Sequence, residues 1–182
     1  MQESTSRRGP GGWRWFGQER PPFAEEPHPG QESVWDYPRP PRIAEDAREV
    51  VVCIGDLELA RTRRARRVLE TASPPTFYLP PEDVRMEVLH PLAGRSHCEW
   101  KGSARYWGLG AAGAHRGAIG WSYPEPSAAF AALRDWLSFY PALCECTVDG
   151  ERVRPQPGGF YGGWLTSEIA GPVKGTPGTG GW

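Results

Sequence analysis

Apolar positions along the chain recur mostly in short alternating runs, not at helical spacing. Residues 49–54 form a β-branched run, and Gly55-Asp56 reads as a two-residue turn into a strand at 57–60. Residues 84–89 alternate Val84, Met86 and Val88 against Arg85 and Glu87, the pattern of a half-buried strand. Further strands are expected at 76–79 and 118–123, with a loop over 108–117 between them and a hairpin over 96–107. Residues 61–70 read as a short helix or an irregular turn. Asp149-Gly150 between 145–148 and 151–154 is a strong hairpin signal.

Helical spacing is confined to the stretch between Pro126 and Pro141. Ser127 suits an N-cap, the body is alanine-rich, and Phe130, Leu133, Leu137 and Tyr140 form one stripe. The pattern therefore predicts a mainly β domain with one amphipathic helix.

Composition sharpens the organisation. With 38% hydrophobic residues in 182, the core is modest, but 9 Trp, 6 Tyr and 6 Phe each bury a large area. Gly at 23 and Pro at 20 favour turns and short strands. Residues 1–32 read as a flexible Pro/Gly-rich tail whose Trp13, Trp15 and Phe16 are unusual for a linker. Residues 33–47 read as an extended arm packing on the domain, with Trp35 and Tyr37 on one side. Residues 48–182 are expected to form a single β-rich domain ending in a Gly/aromatic tail.

A net charge of −1 argues against a bulk nucleic-acid binder. No apolar run spans a bilayer, and Arg7 and Arg8 precede no secretory apolar region. Four unevenly spaced cysteines do not make a disulfide framework, so a cytoplasmic protein with reduced thiols is expected.

Several segments in order carry a family resemblance. They include Val68-Leu-Glu-Thr71, Pro74-Pro-Thr-Phe-Tyr-Leu-Pro-Pro-Glu-Asp-Val84, Cys98-Glu-Trp-Lys-Gly102 and Ala104-Arg-Tyr-Trp107. Trp121-Ser-Tyr-Pro124, Phe139-Tyr-Pro141 and Val148-Asp-Gly-Glu151 complete the set. Together they resemble the bacterial domain of unknown function 427, which carries a nucleotidyltransferase-like label. The Gly-rich segments Pro155-Gln-Pro-Gly-Gly-Phe-Tyr-Gly-Gly-Trp164 and Gly171-Pro-Val-Lys-Gly175 resemble a subgroup with such a tail. The resemblance implies a compact, half-open β-barrel-like or tent-like domain with one helix. It implies no established reaction.

Candidate chemistry centres on the expected hairpin. A turn at Gly102-Ser103 would pair Cys98 with Trp107 and Glu99 with Tyr106. Cys98, Trp100, Arg105 and Trp107 would then share one face, and Glu99, Lys101 and Tyr106 the other. The second set suits a site, with Glu99 as acid or base, Lys101 for an anion and Tyr106 as donor or stacking ring. Tyr78, Trp107, Trp121 and Tyr123 are the expected aromatic walls, with Arg67 as a further cation. The five arginines between 61 and 67 are either a phosphate site or a solvated face offset by acids. Cys144 and Cys146 lack paired metal-ligand spacing, and no metal or cofactor is expected. The leading expectation is a pocket for a small anionic, nucleotide-like molecule at the open end of the β domain. One alternative is a transferase or hydrolase with Glu99 as general base, although no nucleophile–base pair is evident. The other is an interaction module or homodimer acting through the aromatic terminal arms.

Overall fold

The computed structural model describes residues 8–110 and 117–182. Residues 1–7 of the expected tail and 111–116 of the expected loop lie outside the described residues. The strands in chain order are β1 (Glu32–Ser33), β2 (Arg42–Asp46), β3 (Val50–Ile54), β4 (Leu57–Thr62) and β5 (Ala65–Leu69). There follow β6 (Thr76–Tyr78), β7 (Leu89–Cys98), β8 (Gly102–Leu109), β9 (Gly120–Ser122) and β10 (Leu137–Phe139). Last come β11 (Glu145–Val148), β12 (Glu151–Arg152), β13 (Arg154–Pro155), β14 (Trp164–Leu165) and β15 (Ile169–Ala170).

The chain is mainly β, and none of its sheets closes into a barrel. Two four-stranded sheets, ordered β12-β11-β3-β4 and β10-β9-β8-β7, carry most of the pairing. A three-stranded sheet, β2-β5-β6, meets the second where Leu79 and Leu137 exchange backbone hydrogen bonds at 2.7 and 2.9 Å. Between the sheets, Val50, Val52, Leu59, Leu137 and Cys146 are buried, and Phe77 stacks on Trp164 with centroids 4.9 Å apart. Burial pushes the Cys144 thiol up to about 12, as expected of an inert core sulfur. A second apolar cluster joins the ends of the chain: Trp15, Val34, Trp35, Leu69 and Ile169, with Trp182 against them. A third, built on Tyr78, Trp121, Tyr123, Phe130 and Leu133, underlies the site described below.

Two hairpins form as their turn residues require. Gly55-Asp56 joins Ile54 to Leu57, and Asp149 and Gly150, with φ of +46° and +80°, join Val148 to Glu151. Other expectations are corrected. Residues 61–70 are not a helix: the chain leaves β4 at Thr62 and re-enters a strand at Ala65. Residues 84–88 are not a strand. Two 3-10 turns, Pro81–Asp83 and Met86–Val88, occupy the region, and the strand begins at Leu89. The helical segment is a 3-10 stretch of six residues, Ala128–Leu133. It buries Phe130 and Leu133, but Leu137 belongs to β10. Asp135 at φ +61° breaks the helix, and pairing with β9 outweighs helical propensity beyond it.

Candidate functional site

The hairpin of β7 and β8 turns earlier than expected, and Cys98 lies opposite Gly102 instead of Trp107. Cys98 pairs with Gly102, and Ser96 with Ala104, which leaves Glu99-Trp100-Lys101 as a three-residue loop. Gly102 takes φ +97° to re-enter the sheet, the conformation such loops demand. Ser127 fixes the loop: its N–H donates to the Lys101 carbonyl at 3.2 Å and its hydroxyl to the Trp100 carbonyl at 2.6 Å.

This register moves the side chains. Cys98 is half-buried and lines the same cavity as Lys101 and Tyr106, not the opposite face. Tyr106 donates its hydroxyl proton to Ser96 at 2.7 Å. Glu99 is exposed, lines the same cavity and makes no side-chain hydrogen bond among the described residues. Trp107 alternates away from the cavity, packs against the core and donates from Nε1 to Ser122 Oγ at 3.0 Å.

The cavity measures about 490 Å³, within the range of small-molecule sites. Tyr78, Trp121 and Tyr123 form its inner wall, and Trp121 donates to the Tyr78 hydroxyl at 3.3 Å. Tyr140 leans on Trp121 with centroids 4.5 Å apart. Burial pushes the phenols of Tyr78, Tyr123 and Tyr140 up, so all three are neutral donors at physiological pH.

Lys101 is 8% exposed, and its Nζ lies 5.7 Å from the Tyr123 ring centre and 5.8 Å from that of Phe130. No carboxylate is within ion-pair distance of it among the described residues. Burial lowers its pKa, while Tyr78, Cys98 and Glu70 raise it, and the sum lies above the usual lysine value. Lys101 is therefore a desolvated cation with no fixed counter-ion.

Arg67 lies elsewhere. It pairs with Glu32 and sits 3.1 Å from Asp46, in a network that includes Arg48 and Glu168. Its neighbours Arg61, Arg63 and Arg64 pair with Glu58, Glu49, Glu82 and Asp83. Arg66 packs over Trp136 with its Cζ 4.1 Å from the ring centre. The arginine cluster is thus spread over two strands and the turn between them, and Arg61, Arg63, Arg64 and Arg67 are paired with acids.

The roof of the cavity comes from segments that read as tails. Trp13 lines one side, and Gly159, Phe160, Tyr161 and Lys174 another. Lys174 is 8% exposed, with Nζ 4.7 Å from the Trp13 ring centre and 5.5 Å from that of Tyr161. Its N–H donates to the Ala72 carbonyl at 2.7 Å, and its carbonyl accepts from Gln156 Nε2 at 2.8 Å. The indole N–H groups of Trp13 and Trp100, both lining residues, are buried without a partner among the described residues. Periodicity gives no hint of these residues, because the segments that carry them are not regular strands or helices.

Fold and site together define a small β-rich domain with an aromatic cavity roofed by the ends of its own chain. The chain belongs to the family described as domain of unknown function (DUF427), whose model matches residues 42–154. No curated protein matches it. Trp13, Tyr161 and Lys174 fall outside the matched residues, whereas Tyr78, Lys101, Trp121 and Tyr123 fall within them. No helix among the described residues is long and apolar enough to cross a membrane.

Proposed function

We propose that the cavity binds a small anionic ligand with a planar group, of nucleotide type. The observation that carries this reading is Lys101, a buried ammonium without a carboxylate partner among the described residues. Keeping a charge out of water is costly unless an opposite charge compensates it, and a bound phosphate or carboxylate would do so. The aromatic walls supply stacking surface, and the unpartnered indole N–H groups of Trp13 and Trp100 supply donors. The reading takes the protein to be cytoplasmic, in keeping with its four free cysteines.

Calorimetric titration of the full chain with a panel of nucleoside monophosphates and aromatic carboxylates tests the reading. Binding should occur for at least one member and be lost in Lys101→Met. Equal affinity in wild type and Lys101→Met, or no binding by any member, overturns it.

A further inference from the structure

The chain holds two lysines among its 21 Lys and Arg residues, Lys101 and Lys174, and both line this one cavity. Every other member of that set is arginine, which binds anions well but stays charged. A buried lysine can instead shed its proton and act as an amine. We propose that Lys174 forms an imine with an aldehyde or ketone whose anionic group is held by Lys101. The inference rests on the anion-pocket reading above and adds the class of ligand.

Lys174 has the surroundings of a reactive amine. It is buried, with no carboxylate in ion-pair distance among the described residues, and its backbone is fixed by Ala72 and Gln156. A second cation shares its indole platform: the Arg39 Cζ lies 4.1 Å from the Trp13 ring centre, on which Lys174 also packs. Burial and the Arg39 charge lower its pKa, against smaller opposing effects of Glu70 and Glu99. A desolvated lysine beside a like charge is a standard way to obtain a free amine near neutral pH. Lys101 is driven the other way, so of the two lysines Lys174 gives up its proton the more readily.

The step balances without an oxidant or reductant. Neutral Nζ adds to the carbonyl carbon, giving a carbinolamine. The carbonyl oxygen then leaves as water with the two protons that nitrogen gives up, and a C=N bond replaces C=O.

Pyridoxal phosphate is a suitable probe, because it joins a planar ring, a phosphate and an aldehyde. The full chain is incubated with it at neutral pH and reduced with borohydride, and the modified peptides are identified by mass spectrometry. With two lysines and one α-amino group, the assignment is unambiguous and needs no variant to fold. Label should exceed that on Lys101 by about tenfold or more at Lys174, and imine absorbance should vanish in Lys174→Arg. Label on Lys101 or the α-amino group at an equal or greater rate overturns the inference. Pyridoxine phosphate, which has no carbonyl, separates the two readings. Failure of this alcohol to bind counts against the anion pocket, whereas its binding with Lys174 unlabelled overturns the imine alone.

Discussion

Arg39 donates from Nη1 to the backbone carbonyl of Trp182 at 3.2 Å. The same nitrogen donates to the Trp15 carbonyl at 3.1 Å, Nη2 donates to Thr71 at 2.8 Å, and Nε meets Glu70 at 3.3 Å. One side chain, fully buried, thus ties residues near both ends of the chain to the domain. Trp182 also stacks on Phe23 at 5.0 Å and meets Trp35 edge-on at 5.4 Å. One guanidinium is thus a shared anchor for the segments that roof the cavity, beside the Gln156 amide and the cluster around Trp35.

Arg39→Met should cost about 3–5 kcal/mol, since it strands three carbonyls and the Glu70 carboxylate in partly dry surroundings. Urea unfolding measures this directly. A loss under about 1 kcal/mol would mean that the terminal segments are held mainly by their aromatic contacts.

Lys101→Met should bind anions poorly yet be no less stable than wild type. Methionine fills a similar volume and removes a desolvated charge that has no fixed partner. Denaturant midpoints and ligand titration on the same preparation make the comparison. A clear loss of stability would assign Lys101 to the scaffold instead.

Acid should weaken the protein through Asp46. Burial alone would raise this carboxyl, but its hydrogen bonds from Arg48 and the charges of Arg48 and Arg67 outweigh burial and leave it below the usual range. Its contribution is complete above the unfolded value of about 3.9 and is lost as pH falls through the lower folded value. Unfolding midpoints between about pH 2 and 6 should show this decline, and Asp46→Asn should flatten it. An unchanged slope in the variant would shift the effect to other carboxylates.

Gly162→Ala should disturb the site more than the fold. A methyl group there would run into the indole of Trp121, so either that ring or the 159–162 segment must move. The expected cost is about 1–3 kcal/mol, with a larger effect on ligand affinity than on the melting temperature. Melting curves with and without ligand would show it, and an alanine variant with wild-type binding refutes the close approach.

Much of the sheet scaffold was legible from residue order because local rules suffice there. Gly55-Asp56 and Asp149-Gly150 set two hairpins through turn geometry, and the run at 50–54 is a strand by its branched side chains. The third hairpin shows the limit of such rules. Gly102-Ser103 resembles a two-residue turn, yet Ser127 captures the loop before it and displaces the register. That contact lies 25 or more residues along the chain, so no local pattern encodes it. The displacement decides which face Cys98 occupies.

By itself, the sequence determined a mainly β domain and its family, and it singled out Lys101, Tyr78, Trp121 and Tyr123, which line one cavity in the structure. Alternation, turn residues and ordered motifs are local properties that survive without coordinates. Only the tertiary structure decided that Arg67 is neutralised among Glu32, Asp46 and Glu168, and that Trp13, Tyr161 and Lys174 close over the cavity. Those placements depend on long-range contacts: the Arg39 guanidinium, the Gln156 amide and the cluster around Trp35. Irregular Gly/Pro segments have no periodicity from which such contacts can be read, so a residue in them acquires its meaning from whatever it packs against.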